Sequence, residues 1–353
     1  MTAVKVHRQR VEGPFAWRAA DLERDRSWLY QLTATEVAEI DRAVLSVRKA
    51  GLKTLAVRSR DFPLPTLSAR IREIWDQLEN GRGMTIMRGL PVERYDPADA
   101  ELVFWGIGSH LGICIPQNSK GDYIGRVEDS GAKWGELRHG EITRGYVTRA
   151  YLPFHSDTGD VASLLCVRAA KSGGYTSIVS STSIFNAILE SEPEALPALF
   201  RGFYYSLRGE SGEGVSKVST YPIPVFSFHE GRLNARYIRR TIETGARMGG
   251  MPLTDDERHA LDVMDKHSKS EELCFSMMME PGDLQYVQNF VVLHSRTEFE
   301  DYEEAQRKRL MLRLWLQVPH ARALIREHET LFGETTPFPT RQQAIEKEAR
   351  AAA

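Results

Sequence analysis

Residues 309–317 read RLMLRLWLQ. In an extended chain, Leu310, Leu312, Leu314 and Leu316 share one face, and Arg309, Met311, Arg313 and Trp315 share the other. A side-chain period of two sustained over this stretch predicts a strand with one apolar face. The other face carries two arginines. Solvent would accommodate them, and so would a barrel interior in which an anion meets them, because a buried charge is costly unless paired. On this stretch alone both readings stay open.

Working outward, short strand patterns fill the second half of the chain. LLCVRAA (164–170) is followed by the turn KSGG and a returning TSIVSS (176–181). FYYSLRG (203–209) and VFSFHEGRLNARYI resume the pattern, the latter with a turn at Glu230–Gly231. CFSMMMEPGDLQYV reads as strand, turn and strand about Pro281–Gly282, with the methionines at 277–279 as core filler. Helices are expected near 183–200 and, capped by Thr254 and Glu257, near 254–268. The first third is mainly helical. Thr33 and Glu36 form a capping box ahead of Val37, Ile40, Val44 and Val47; Leu67, Ile71, Ile74 and Leu78 mark a second helix, and 97–111 a third. Many short strands with intervening turns suggest a jelly roll or barrel. The plan is a helical part over 1–82, a β core over 83–318 and a tail over 319–353 ending in a charged helix near 340–353, all counted as one domain of 353 residues.

The composition excludes several classes. Net charge is −2, with 42% hydrophobic and 27% charged residues, so nothing points to nucleic acid or an anionic membrane. Cys114, Cys166 and Cys274 are odd in number and scattered, which is no disulfide framework and fits a reduced, cytoplasmic compartment. The N-terminal MTAVKVHRQRVEGPFAW has no apolar core of a signal peptide, and no apolar run is long enough to span a bilayer.

The chemistry-bearing stretch is FHSDTGD (154–160). His155 and Asp157, two apart, share a face at a strand end and could grip one ion. A third ligand must come from elsewhere, and His294 in NFVVLHSRT, 139 residues later, is the best candidate. Two histidines and a carboxylate on one side of a metal form the facial triad of non-haem Fe(II) oxygenases. Each piece alone is weak. His110, His139, His229, His259, His267, His320 and His328 show no ligand spacing and read as surface or structural groups.

Taken in order, FHSD, GGYT, GDLQYVQNFVVLHSRTEFED and RKRLMLRLWL resemble the taurine-dioxygenase and clavaminate-synthase-like family of Fe(II)/2-oxoglutarate oxygenases. The resemblance covers roughly 83–318. It implies an α+β fold with a mainly β core: a double-stranded β-helix, the cupin-like jelly roll, with N-terminal and inserted helices. It implies Fe(II), 2-oxoglutarate and O₂ as metal, cosubstrate and oxidant. His155, Asp157 and His294 match the iron ligands. Thr176 and Arg309 match the residues that bind 2-oxoglutarate carboxylates, and Arg313 matches a second arginine that meets either cosubstrate or substrate. An always-charged guanidinium fork is what a cosubstrate carboxylate inside an apolar barrel requires. The retained Asp157 favours hydroxylation, desaturation or cyclisation of a C–H bond over halogenation.

Asn118 and Tyr151 precede the metal motif where family members line the substrate pocket, although a turn-forming Asn and a half-buried strand Tyr explain them equally well. Asn289, five residues before His294, reads as a structural hydrogen-bonding group. The expected substrate is a small carboxylate or amino-acid-like molecule, and homo-oligomers are common in the resembled family. The competing reading is a metal-dependent hydrolase or isomerase on a cupin-like barrel, since zinc accepts the same ligands. It leaves Thr176 and the two arginines unexplained.

Overall fold

The computed structural model describes residues 5–138, 141–210, 216–330 and 338–352. Two sheets face each other in a double-stranded β-helix. The larger has seven strands, in the order Leu29–Gln31, Met84–Arg88, Leu284–Gln288, Val161–Arg168, Leu310–Gln317 and Ile113–Ile115, with Gly125–Val127 also pairing onto Leu310–Gln317. The smaller runs Phe275–Met277, Thr176–Ser180, Val292–Arg296, Leu152–His155.

The strand Leu310–Gln317 divides its side chains as its period requires. Leu310, Leu312, Leu314 and Leu316 pack in one core with the helices Ala34–Ala50, Leu67–Glu79 and Pro97–Leu111. Trp315 belongs to a different core and Met311 to a third, both on the inner face. The helices begin and end where local chemistry dictates. Thr33 accepts the Glu36 amide at 3.3 Å while the Glu36 carboxylate accepts the Thr33 amide at 2.8 Å, and Gly51 closes the helix in the left-handed region at φ 65°.

Register aligns the site. In the smaller sheet Thr176 lies opposite Arg296 and Ile178 opposite His294, while His294 lies opposite His155 on its other side. Paired residues point to the same face, so Thr176, His294, Arg296 and His155 all face one way.

Two expected elements differ. The helix anticipated over 183–200 is two helices, Ser181–Ser191 and Leu196–Arg201, because Pro193 and Pro197 cannot continue a helix and each restarts one. The segment 203–209 is not a strand. It makes single bridges, Phe203 to Ile223 and Ser206 to Val218, and then leaves extended geometry at Arg208 and Gly209, with φ of 54° and 78°. The hairpin of Phe226–His229 and Arg232–Ala235 turns at Glu230–Gly231, both with positive φ, as anticipated. The capping box of Thr254 and Glu257 starts the helix Asp255–Ser268, and Met277 and Met279 are buried.

The C-terminal helix Arg341–Ala352 packs Ala344 into the core, and its first residue ties it to the β core by charge. Arg341 grips the fully buried Asp160 with Nη2 at 2.7 Å and Nε at 3.0 Å, and its Nη1 reaches the carbonyls of Ala321 and Arg322. Asp160 also accepts the Val318 amide at 2.7 Å. Removing one member of such a pair strands the other, so Asp160→Ala is expected to lower unfolding free energy by about 3–5 kcal/mol. Leu314→Ala, which opens a cavity under the helical layer, should cost about 2–5 kcal/mol. Urea unfolding monitored by far-UV circular dichroism measures both.

Candidate metal centre

His155 closes the strand Leu152–His155, Asp157 is the second residue of the following loop, and His294 lies within Val292–Arg296. Their ligand atoms all fall within 4.8 Å of one another, and among the described residues this is the one cluster of three or more His, Cys, Asp or Glu that could hold a metal. His155 Nε2 lies 3.9 Å from Asp157 Oδ1 and His294 Nε2 lies 3.7 Å from Asp157 Oδ2, with the two rings 4.4 Å apart. His155 Nδ1 donates to the Pro153 carbonyl at 2.8 Å, which leaves the lone pair on Nε2 directed at the cluster. His294 Nδ1 is buried with no partner among the described residues.

The charge states suit a cation. Burial, and the imidazole of His294 alongside, push His155 down to about 3, so it is a neutral donor. Burial alone would raise the Asp157 carboxyl, but Arg313 and His294 outweigh it and hold it well below the ordinary carboxylate range. Two imidazoles, that of His155 held neutral, and one carboxylate on a shared face fit Fe(II).

A hydrogen-bond frame fixes the ligand loop. The Asp157 amide donates to Asn289 Oδ1 at 3.2 Å, and Asn289 Nδ2 donates to the carbonyls of Thr158 and Gly159. The Ser156 amide donates to the Tyr237 carbonyl at 2.9 Å. The structural role anticipated for Asn289 is thus to hold the loop that bears Asp157.

Both arginines of RLMLRLWLQ are buried, at 3% and 6% exposure for Arg309 and Arg313. Arg313 donates through Nη1 to Asp157 at 3.3 Å and through Nε to Gln117 at 2.8 Å, and its guanidinium lies 4.6 Å from the ring centres of both Tyr146 and Trp315. Arg309 lies 5.1 Å from the Phe299 ring centre, with Nη1 on the Val127 carbonyl. Burial lowers it to about 10. Gly174 completes this end: a Cβ there would come within 3.4 Å of Arg309 Nε, and its φ of 74° disfavours a side chain. Thr176, two residues on, faces the same interior, and so does Arg296 on the neighbouring strand.

Asn118 and Tyr151 are not brought to the cluster. Asn118 builds a turn: its Nδ2 donates to Asp122 and its Oδ1 accepts the amides of Lys120 and Asp122, the ordinary use of Asn in a loop. Tyr151 is 38% exposed and lies among Asp265, Cys274 and Ser295. Ser295 alternates with His294 and so faces away from the metal. Among the remaining histidines, His110 bonds the Phe62 carbonyl, His267 pairs with Glu192 and His328 is buried against Pro224 and Ser227, while His139 lies outside the described residues. Gln117, which holds Arg313, is not marked by any motif in the sequence. Its one hint is its place next to the Asn that was singled out.

Comparison with known proteins gives consistent relatives. Residues 47–315 match the model of the taurine catabolism dioxygenase TauD, TfdA family. FR-33289 synthase of Streptomyces rubellomurinus is 33% identical over 322 residues, spanning 90% of this chain and 94% of that protein. A taurine hydroxylase-like protein of Stachybotrys chartarum is 27% identical over 86% of this chain and 79% of its own. In fold, the chain resembles an asparagine oxygenase solved with Fe(II), hydroxyasparagine and succinate, with a TM-score of 0.62, 17% identity, and 82% of this chain and 93% of that one covered. It also resembles the non-heme iron oxygenase OrfP solved with Fe and α-ketoglutaric acid, with a TM-score of 0.59, 16% identity, and 82% and 94% covered. No helix among the described residues is long and apolar enough to cross a membrane. The family match decides against the hydrolase or isomerase alternative: the chain belongs to the TauD/TfdA family and is an Fe(II)- and 2-oxoglutarate-dependent dioxygenase that oxidises a C–H bond of a small molecule.

Proposed function

We propose that His155, Asp157 and His294 hold the ferrous ion, that Thr176 and Arg309 hold the far carboxylate of 2-oxoglutarate, and that the substrate is a small molecule with an anionic group bound on the Arg313 side of the metal. The observation that carries this reading is the convergence of the two imidazoles and the carboxylate, distant in sequence, beside a strand that buries both arginines. Bound iron and 2-oxoglutarate together supply O₂ activation and C–H oxidation, with succinate and CO₂ released.

The chain's own residues orient and exclude. The Pro153 carbonyl fixes the tautomer and ring angle of His155. Arg313 keeps Asp157 ionised and turns it toward the two imidazoles. Phe299 and the Gly173–Gly174 turn wall the Arg309 end from water, where a guanidinium–carboxylate pair is stronger than in bulk solvent. Arg313 contacts Asp157 while Arg309 contacts the Val127 carbonyl and Phe299, which supports a division of labour, with Arg309 for the cosubstrate and Arg313 for the metal carboxylate and the substrate.

Anaerobic addition of Fe(II) and 2-oxoglutarate should produce the weak visible charge-transfer band of a chelated ferrous ion. Arg309→Ala should weaken 2-oxoglutarate binding roughly tenfold or more, the value of one charge-assisted pair. Arg313→Ala should impair substrate-dependent turnover far more than 2-oxoglutarate affinity. An equal loss of cosubstrate affinity in both variants would move Arg313 into the cosubstrate site. His155→Ala should abolish iron binding and succinate release while the thermal melt persists, and normal succinate release by that variant would refute the ligand assignment.

A further inference from the structure

Two residues after His294 the same strand carries a third buried arginine. Arg296 is 5% exposed and shares the inner face of the smaller sheet with Thr176, its partner across the strand pair. Its Nη2 donates to the carbonyls of Thr148 and Ala150, at 2.7 and 2.5 Å, in the segment that leads into the His155 strand. Its Nε and Nη1 are buried with no partner among the described residues, and no carboxylate there is paired with it. Two neutral carbonyls occupy one corner of the guanidinium and leave its charge without a counter-ion.

Arg296 and Arg309 meet on one aromatic ring. The guanidinium carbon of Arg296 lies 4.8 Å from the Phe299 ring centre, and that of Arg309 lies 5.1 Å from the same centre. The two cations are therefore within about 10 Å of each other. Phe299 is itself fixed through its backbone. Its amide donates to the Arg149 carbonyl at 3.2 Å, and it pairs with Gly173 across a short ladder. Thr148 and Ala150, which Arg296 holds, flank that same Arg149. Arg296, Phe299 and Arg309 thus form one unit, closed on one side by residues 148–150.

We propose that Arg296 is a positioning residue for the cosubstrate and sets its chemical class. Acting through Phe299, it keeps the Arg309 guanidinium in place to receive the far carboxylate. Its own charge makes that end of the barrel favour a 2-oxo acid ending in a carboxylate over one ending in a methyl group. The inference rests on the assignment of Arg309 to the far carboxylate and extends it to a residue that need not touch the cosubstrate. 2-Oxoglutarate and 2-oxopentanoate share the same metal-chelating end, so only the far end tells them apart. An Arg296 that merely tied down residues 148–150 would affect both acids alike.

The test measures binding of 2-oxoglutarate and 2-oxopentanoate to anaerobic full-length protein loaded with Fe(II), by calorimetry and by the visible charge-transfer band. The unmodified protein should prefer 2-oxoglutarate. Arg296→Gln keeps a donor for the two carbonyls and removes the charge. It should lower that preference roughly threefold to tenfold, mainly by weakening 2-oxoglutarate. Arg296→Lys should restore most of it. Phe299→Leu, which removes the shared ring, should also lower the preference, and it decides the matter should Arg296→Gln fail to give a folded thermal melt. An unchanged preference in folded Arg296→Gln, equal losses for the two acids, or an Arg296→Lys protein no better than Arg296→Gln overturns the inference, as does an unchanged preference in Phe299→Leu. Arg309→Ala tests the underlying assignment separately: if that variant keeps the preference, the far carboxylate binds elsewhere and this inference falls with the assignment.

Discussion

Arg313 touches Asp157 at 3.3 Å with both side chains buried. Neither charge would be stable alone at that depth, because stripping an ion of water costs several kcal/mol. Together, and with Gln117 on the guanidinium and Tyr146 and Trp315 against its faces, they form a fixed charged unit. That unit also sets the orientation of the strand Leu310–Gln317. A strand has a side-chain period of two, so an inward Arg313 forces Met311 and Trp315 inward and sends Leu312, Leu314 and Leu316 to the helical layer. A slip of one residue would bury arginines beneath the helices and line the metal with leucines. Apolar packing on one face and ion pairing on the other thus select the same register.

The ligand loop is held from three directions, each by a different part of the chain. Tyr237, from the inserted segment, binds Ser156; Asn289, from the turn before the distal histidine strand, binds the Asp157 amide; and Arg341, from the C-terminal helix, grips Asp160. A histidine and an aspartate two residues apart are common in sequences and seldom bind metal. Here the loop between them is tied down before any ion arrives, so binding need not repay the entropy of ordering it. Arg341 lies beyond residues 47–315, the part matched by the family model, so the tail of this chain contributes to a loop at the centre of the shared core.

What the sequence disclosed follows from periodicity and from local chemistry. The RLMLRLWLQ strand, the Thr33 and Thr254 caps and the Glu230–Gly231 turn are specified by neighbours a few residues apart, and each is found. The convergence of His155, Asp157 and His294 needed the family's motif order as well, since the third ligand is brought in by pairing across the smaller sheet. The break at Pro193 is also written in the sequence, since a proline restarts a helix rather than continuing it, and the single helix expected over 183–200 passed over it. Arg236 and the Arg341–Asp160 pair were invisible for a different reason. An arginine in a polar-looking stretch such as LNARYI reads as solvated, and only tertiary packing buries Arg236. The same limit explains Asn118: its loop does reach the site, but through the neighbouring Gln117, while Asn118 itself spends its side chain on the turn.

The cationic groups are arranged in depth, and the arrangement constrains what the site can oxidise. Arg309 lies at the Phe299 end and Arg313 beside the metal carboxylate. A substrate fixed by its charged end presents to the metal only those C–H bonds that its length allows. On the proposed reading, Arg313 lies 3.3 Å from the metal carboxylate, so an anionic group held there brings to the metal the C–H bonds close to that group.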